Sequence, residues 1–472
     1  MRNYLFLCIV LIQTFLLNAQ SNEILIDNLE HTYHLDNKTT EESILLLKTK
    51  DNTLLSYFDA QHQIKKSFTI NNPESSFKQL IAYSLDGDVA QLFWSTTAKK
   101  NLFIQSINLE TQIVTEKEEA YSIKGLFLLT EFSNGTSYFA ITLKKNTNVI
   151  VIHEFKSDGT FQEYPIDLSN EKFYTLTPTK PFNLQNILSK TTNEDIVPNK
   201  IQFIDQKQPS ALSLATKLKK AYLKNQQLII TFDYNTNFTD ILTIDLESKS
   251  YKKTIVTKPK MAYSSNTSSN SFIHDDFIYQ VKANEDEFHF TIKTLNNELI
   301  KSWITKENEI ISYMVDGIKQ FDGDQNKYKS LGTTGAFIKK FNNLQGGLSV
   351  YTYNLNKLVT IGSVSAQQQK PTFGMYFGLI GALVDIYLYN PSINNLDAYA
   401  NRRTVHFNSI LNNNFETTHT HFGDLAIDKI NNFINENHKQ MSSINLSIKN
   451  NTYFIGYYSK NAKKYKWQSF KD

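Results

Sequence analysis

Two histidines close together in the sequence have a spacing that suits metal binding. His419 and His421 are two positions apart, Asp424 follows them and His406 precedes them. Residues two apart on a β-strand point the same way, so both imidazoles could reach one zinc or other transition-metal ion. Asp424 or His406 would supply a third ligand. An exposed histidine pair without a ligand, or one that contacts a substrate or responds to pH, fits the same spacing. The candidate metal ligands are therefore His419, His421 and Asp424.

A second possible cation site is the segment 322–326, with the sequence DGDQN. It places carboxylate and amide oxygens at alternate positions, and hard cations such as calcium prefer these ligands. The segment then departs from the EF-hand pattern, because Lys327 stands where that loop has glycine and Thr333 stands where it has a bidentate glutamate. A polar turn explains the segment equally well.

The C-terminal region combines lysines with aromatic residues, as some surfaces that bind nucleic acids do. These residues are Lys460, Lys463, Lys464 and Lys466 with Tyr457, Tyr458, Tyr465 and Trp467. The whole chain has 49 Lys and Arg against 46 Asp and Glu, so its net charge is only +3. Such a balance gives no strong field to attract nucleic acid. We therefore expect no nucleic-acid partner, and a lysine-rich edge that discourages strand addition is the simpler interpretation.

The sequence offers little for catalysis. It contains no GxSxG, HExxH, P-loop or dinucleotide-binding glycine motif. Acidic pairs occur at 275–276 and 285–287, but spacing alone cannot show whether two carboxylates face one substrate. His31 and His34 have no carboxylate partner that spacing reveals, so we place them on the surface. We predict no cofactor, and the question of enzymatic activity stays open with a preference for a noncatalytic protein.

The N-terminus has the pattern of a secretory signal peptide. Arg2 precedes an apolar run from Tyr4 to Leu17, and the small residue Ala19 follows. Cleavage after residue 19 would remove the single cysteine, Cys8, and with it any disulfide or thiolate chemistry. We expect an exported protein, periplasmic or extracellular, without a transmembrane segment after cleavage. The later apolar run 373–384 is too short to span a membrane as a helix.

The rest of the chain predicts β-structure throughout. Runs of five to eight residues rich in Ile, Leu, Phe, Tyr, Val and Thr alternate with clusters of Asn, Asp, Gly, Ser and Lys, a pattern typical of short antiparallel strands. In residues 81–116, four such runs follow one another, and Gly87 lies in a tight turn between the first two. The same order recurs in 126–166, 219–256 and 271–304, with a period of about 48 residues.

A four-stranded unit repeated at this period resembles a β-propeller, whose radial sheets pack face to face. The resemblance covers roughly residues 24–366, carries no family motif and implies no functional residues. It implies an all-β fold, a propeller of about seven four-stranded blades, with a small C-terminal α+β segment that contains one helix. We divide the chain into a signal peptide (1–19), a propeller-like domain (20–366) and a C-terminal segment (367–472) with a helix at 424–438. That segment is either a small domain or the last blade with an inserted helix.

In a propeller, the loops between second and third strands lie on the same face as the connections between blades. Here those loops are 96–100, 144–148, 234–238 and 283–286, which are rich in Lys and Asn. They supply the predicted ligand-binding residues Lys99, Lys100, Lys144, Lys145, Asn235, Asn237, Glu285 and Asp286.

We expect a noncatalytic binding or scaffold protein that recognises a protein, a glycan or an envelope component. The alternative is a secreted or periplasmic carbohydrate-active hydrolase with paired carboxylates on loops. A structural or assembly factor of the cell envelope is a third possibility.

Overall fold

The computed structural model describes residues 22–175, 181–190, 199–262, 264–322, 327–365, 403–418 and 423–472. The predicted signal peptide and the apolar run 373–384 lie outside these ranges. Within them, no helix is long and apolar enough to cross a membrane.

Almost all of the regular structure is β. The first strand is β1 (Glu23–Leu25), and blade one follows it with β2 (His31–Asp36), β3 (Ser43–Lys48), β4 (Asn52–Phe58) and β5 (Ile64–Asn71). Blade two consists of β6 (Gln79–Asp86), β7 (Val89–Ser95), β8 (Asn101–Asn108) and β9 (Val114–Ala120). Blade three consists of β10 (Leu126–Ser133), β11 (Tyr138–Lys144), β12 (Val149–Phe155) and β13 (Phe161–Asp167). In each of these blades the strands pair in chain order.

The remaining blades include two sheets of five strands. Blade four consists of β14 (Gln202–Ile204), β15 (Lys219–Lys224), β16 (Gln227–Phe232), β17 (Phe238–Asp245) and β18 (Tyr251–Thr257). Blade five consists of β19 (Ser268–His274), β20 (Phe277–Ala283), β21 (Glu287–Thr294) and β22 (Leu299–Lys306). Blade six consists of β23 (Ile318–Asp322), β24 (Tyr328–Leu331), β25 (Gln345–Tyr353), β26 (Asn356–Val364) and β27 (Arg403–Leu411). Blade seven joins β28 (Met441–Lys449), β29 (Thr452–Ser459) and β30 (Lys464–Lys471) to β1.

Four short helices complete the described structure: α1 (Leu184–Ser189), α2 (Leu212–Ala215), α3 (Thr334–Asn343) and α4 (Ala426–Asn437), the last followed by a 3-10 turn (His438–Gln440). The side chains of α3 pack between blades five and six, where Phe337 contacts both Phe288 and Phe407. The helix α4 packs on β29 and β30 of blade seven.

Seven successive sheets confirm the predicted propeller. The ring closes because β1 pairs antiparallel with β30, with Ile24 opposite Tyr465. Blade one also contacts both of its neighbours, since its innermost strand β2 touches β28 and β6. Inner and middle strands such as β7 are buried on both faces and are almost continuously apolar, whereas outer strands such as β9 are largely exposed and polar. This contrast is the expected one for sheets that stack against each other.

Blade six departs from the predicted chain order. Its strands run β24-β23-β27-β26-β25, so β23 and β24 add to the outside of β27 although they precede it in sequence. The predicted C-terminal helix is present as α4, and the described part of the C-terminal region contributes strands to two sheets, β27 to blade six and β28, β29 and β30 to blade seven. Strand β27 follows the predicted boundary at residue 366 and hydrogen-bonds to β26, which precedes it, so the two segments share a sheet.

Candidate functional site

The predicted ligand-binding residues lie in the connections between the second and third strands of a blade, except Lys144, which is the last residue of the second strand β11. Antiparallel strands alternate in direction, so these connections leave from the same end of the sheets as the connections between blades. We call this end the loop face and define it by the segments 96–100, 144–148, 234–238 and 283–286. Blade two carries Lys99 and Lys100 there, and blade three carries Lys144 and Lys145.

On blade four the two predicted asparagines have different environments. Asn235 is buried, its amide donates to the carbonyl of Thr175 (2.8 Å), and its side-chain oxygen accepts from the backbone N–H of Asn237 (2.8 Å). Asn237 is exposed, and its side-chain oxygen accepts from Lys282 Nζ on blade five (3.2 Å). Asn235 therefore shapes the loop, while Asn237 presents an amide to solvent.

On blade five, Glu285 and Asp286 are exposed at the tip of a loop that is held from below. The side-chain oxygen of buried Asn284 accepts from the N–H groups of Asp286 (3.0 Å) and Glu287 (2.9 Å). The Asn284 carbonyl accepts from Asn342 of α3 (2.8 Å). Both carboxylates thus project from a fixed backbone.

Beneath these loops lies a fully buried charge network, which we call the Lys–Asp–Lys network (Lys220, Asp233, Lys258). Asp233 follows β16 directly, and its carboxylate lies 3.1 Å from Lys220 Nζ and 3.0 Å from Lys258 Nζ. All three side chains are 0 % exposed. The Asp233 carboxylate also accepts hydrogen bonds from the hydroxyls of Thr239 on blade four and Ser271 on blade five, each at 2.8 Å.

The two lysines connect Asp233 to further groups on blades four and five. Lys258 Nζ donates to the carbonyl of Asn235 (2.8 Å) and to Ser269 Oγ (3.1 Å). Lys220 Nζ donates to Asn270 Oδ1 (2.7 Å). The Asn270 amide donates in turn to carbonyls of Thr216 (2.6 Å) and of Gly346 on blade six (3.0 Å). The network therefore ties three neighbouring blades together directly under the loop that carries Asn237.

The protonation states of the network follow from its partners. Burial by itself would raise the pKa of the Asp233 carboxyl, but Lys258 and Lys220 hold that pKa well below its ordinary value. Burial lowers the pKa of both lysines, and Asp233 opposes this shift. A buried charge with several well-aligned partners is costly to disturb, so the network holds the loop segment 234–238 in one conformation.

The proposed metal ligands are only partly described. His419 and His421 lie outside the described residues, and Asp424 is exposed. His406, the possible third ligand, is stacked on Phe321 with ring centroids 5.3 Å apart, and burial lowers its pKa to about 4. In the part of the chain that the structure describes, no group of three His, Cys, Asp or Glu residues could hold a metal ion.

Most of the possible calcium-binding segment, residues 323–326, also lies outside the described residues. Its first residue, Asp322, is described. The Asp322 carboxylate accepts from Arg403 Nε (2.6 Å) and lies 3.4 Å from Lys329 Nζ. These cations come from β27 and β24, so Asp322 links three strands of blade six.

The C-terminal lysines lie beside acidic residues of the N-terminal segment. Lys463 Nζ is 2.9 Å from Asp27, Lys466 Nζ is 3.8 Å from Glu23, and Lys464 also pairs with Glu23. Tyr465 and Trp467, which alternate with them, are buried. These lysines therefore form ion pairs with the N-terminal segment where β1 pairs with β30 in blade seven.

The expectation that His34 lies on the surface is wrong. Its side chain is only 6 % exposed, and its Nε2 lies 3.2 Å from Asp36 Oδ1. Asp36 is two residues further along β2, so the two side chains point the same way. The same periodicity that suggested a pair at His419 and His421 could have identified this pair. His31, on the same strand, is half-buried.

A small cleft beside His34 separates blades one and seven. His62 lies in it with positive φ (61°), and its ring stacks on Phe58 (4.6 Å) and Phe454 (4.0 Å). Burial lowers the pKa of His62 to about 2. The lining is His34, Leu45, Phe58, His62, Phe454, Gly456, Tyr465 and Trp467, and it encloses about 10 Å³, the space of one water molecule. It contains no carboxylate, so this cleft offers no pair of acids for glycoside hydrolysis.

No family model matches the chain, and no curated protein matches it. Among solved structures, the chain is similar to the WD40 domain of SCAP from fission yeast, with 10% identity, 95% of this chain and 88% of that chain covered, and a TM-score of 0.30. It is also similar to a member of the duf4221 family from Bacteroides vulgatus, with 11% identity, 90% and 100% covered, and a TM-score of 0.28. These likenesses are too distant to bear on function, and the propeller assignment rests on the sheet topology.

Proposed function

We propose that the protein is an exported, noncatalytic binding or scaffold protein that recognises a protein, a glycan or another envelope component through its loop face. The signal-peptide pattern in residues 1–19 supports export. The observation that carries the binding role is the Lys–Asp–Lys network, which fixes the loop of Asn237 from below. A ligand that meets a fixed loop does not have to order it, and this lowers the entropic cost of binding.

The exposed chemistry of the loop face suits a polar ligand. Asn237 offers an amide, and Glu285 and Asp286 offer two carboxylates on the neighbouring blade. Amide and carboxylate groups can bond the hydroxyls of a glycan or the backbone and cationic groups of a protein. The lysines Lys99, Lys100, Lys144 and Lys145 would extend the same surface over blades two and three.

The test is a glycan array and a panel of purified envelope proteins, probed with the mature chain and with the triple variant Asn237→Ala, Glu285→Ala, Asp286→Ala. We expect the variant to lose about tenfold or more in affinity for whatever the wild type binds, because it removes three ligand-facing polar groups.

The control variant is Glu247→Ala with Asp276→Ala, which removes two exposed acids at the opposite ends of blades four and five. We expect it to bind as the wild type does. Equal binding by the triple variant and the wild type, or equal loss in both variants, would contradict the assignment of the loop face.

A further inference from the structure

The part of the loop face on blades two and three is strongly basic. Three segments form it: the loops 96–100 and 144–148, and the connection 121–125 between the two blades. The whole chain has almost as many acidic as basic residues, but these segments have no acidic residue at all. They contain five lysines, which we call the basic patch: Lys99, Lys100, Lys124, Lys144 and Lys145.

Backbone hydrogen bonds join the three segments into one surface. The N–H of Tyr121 donates to the carbonyl of Lys100 (3.0 Å), which connects the loop of blade two to the connection between the blades. The N–H of Lys145 donates to the carbonyl of Gly125 (2.8 Å), which connects the loop of blade three to the same connection. The lysines of the two blades therefore lie on adjacent segments, with Lys124 between them.

The lysines of the basic patch serve no internal contact. Lys99 is half-buried, and the other four are exposed. Within the described residues, none of the five ammonium groups forms an ion pair or a hydrogen bond. The nearest acid along the chain, Glu119, is paired with Lys117 (2.8 Å). The patch is therefore a surface of unneutralised positive charge, and such a surface attracts anionic ligands.

The two loops that carry these lysines are held by their own turns. Lys99 has positive φ (49°), and its N–H donates to the carbonyl of Thr96 (2.8 Å). The Thr96 hydroxyl accepts from the N–H of Lys100 (3.2 Å). In blade three, both the N–H (3.2 Å) and the hydroxyl (2.8 Å) of Thr147 donate to the carbonyl of Lys144. A ligand therefore does not have to order these loops.

Two exposed apolar residues border the basic patch. Phe127 and Leu128 lie at the start of β10, the innermost strand of blade three, and are 38 % and 41 % exposed. Neighbouring residues of a strand point to opposite faces, so β10 is open to solvent on both faces here. Both residues lie within the sheet, because they pair with Leu143 and Thr142 of β11. They therefore offer a flat apolar surface beside the cations and not a protruding tip.

We propose that the basic patch binds an acidic polysaccharide, a sugar chain with regularly repeated carboxylate groups. The inference rests on the proposed function, because it names the ligand class of the same loop face. Lysine ammonium groups on both blades would bond successive carboxylates of one chain. The apolar face of a sugar ring can pack on Phe127, and the exposed side chains of Thr97 and Asn146 can bond its hydroxyls.

Two other polyanions fit this surface less well. Apolar side chains that enter a bilayer must reach past the lysines around them, whereas Phe127 and Leu128 belong to a paired strand. Single-stranded nucleic acids stack successive bases on several aromatic side chains. Phe127 is exposed, but Tyr121, the one aromatic residue of the three segments, is buried. A sugar chain needs neither feature.

The test measures the affinity of the mature chain for polygalacturonate and for its methyl-esterified form, which has the same backbone without the charges. We expect the charged form to bind more tightly by about tenfold or more. Added salt should weaken that binding, because it screens exposed charges. The ratio of the two affinities isolates the contribution of charge.

A triple variant removes one exposed lysine from each segment: Lys100→Gln, Lys124→Gln, Lys145→Gln. We expect it to lose most of the preference for the charged form, while its affinity for the esterified form changes little. Thermal unfolding should match that of the wild type, since these side chains have no partner within the described residues.

The matched control removes three exposed lysines from β18, β24 and β30, outside the loop face: Lys252→Gln, Lys329→Gln, Lys471→Gln. It changes the net charge by the same amount. We expect it to keep the wild-type preference, because the preference depends on where the lysines lie and not on the total charge.

Anionic phospholipid vesicles and single-stranded DNA are measured in parallel, at equal concentration of negative charge, and should bind less tightly than polygalacturonate. The proposal is overturned if the wild type does not bind the charged form more tightly than the esterified one, if both lysine variants lose the preference equally, or if vesicles or DNA bind more tightly.

The variant Asn237→Ala, Glu285→Ala, Asp286→Ala separates this inference from the proposed function. It leaves the basic patch intact, so we expect it to lose affinity for both forms of the polymer by the same factor. Unchanged affinity in this variant, together with a lost preference in the lysine variant, would contradict the proposed role of Asn237 and the two carboxylates but not the basic patch. The reverse pattern would contradict only the basic patch.

Discussion

Asp233→Ala is expected to lower the free energy of unfolding by about 3–5 kcal/mol, because it leaves two buried ammonium groups without their carboxylate. The cost is high because Lys220 and Lys258 are both 0 % exposed and cannot turn to solvent. Denaturant unfolding of the wild type and of the variant measures this difference. Hydrogen exchange should also become faster in residues 233–237, since the Lys258 bond to the Asn235 carbonyl loses its support.

The control is Asp276→Ala, which also removes an aspartate paired with a lysine, Lys224. Asp276 is 79 % exposed, and exposed pairs contribute about 0–1 kcal/mol. We therefore expect little change in stability. If the two alanine variants were equally stable, the network would not hold the loop face, and the physical basis of the proposed binding surface would be lost.

A fall in pH from about 7.5 to about 4 is expected to remove about 3 kcal/mol of stability through His62 alone. The pKa of His62 is lowered to about 2 in the fold, whereas an unfolded histidine has an ordinary value of 6.5. The unfolded state therefore binds the proton first. This contribution of His62 to the free energy of unfolding is fully present above pH 6.5, the pKa of an unfolded histidine, and is lost as the pH falls below that value.

His62→Asn isolates this contribution. Asparagine tolerates the positive φ of position 62 but does not titrate, so we expect the variant to be less stable at neutral pH and less sensitive to acid. Burial lowers the pKa of His153, His274 and His406 to about 4. These three histidines are present in the wild type and in the His62→Asn variant alike. The difference between the two pH profiles therefore reports His62. Parallel profiles would show that His62 does not remain neutral in the cleft.

Local patterns in the sequence predicted the repeated blades. Tight turns such as the one at Gly87, with φ of 54°, separate short apolar runs, and nearest-neighbour hairpins need no information from elsewhere in the chain. Blade six was not predicted in its order, because β23 pairs with β27, which follows α3, β25 and β26 in the sequence. The pairing of β1 with β30 joins the two ends of the chain, and no local pattern reveals such a contact.

The candidate site was predicted only in outline. The loops of Asn237 and Glu285 follow from counting strands, but Lys220, Asp233 and Lys258 are far apart in sequence. Each looks like an ordinary surface residue until the blades bring them together. The pair of His34 and Asp36 was within reach of sequence reasoning, because its two-residue spacing on a strand was visible.

A cross-link between the ends of the chain tests the closed ring directly. In the pairing of β1 with β30, Leu25 faces Lys464 at a position that does not exchange backbone hydrogen bonds, so their side chains lie close together. We expect Leu25→Cys with Lys464→Cys to form an intramolecular disulfide when the folded chain, expressed without residues 1–19 and so without Cys8, is oxidised, and we expect Leu25→Cys with Lys471→Cys to form none. Equal cross-linking of both pairs, or of neither, would contradict a ring closed by β1.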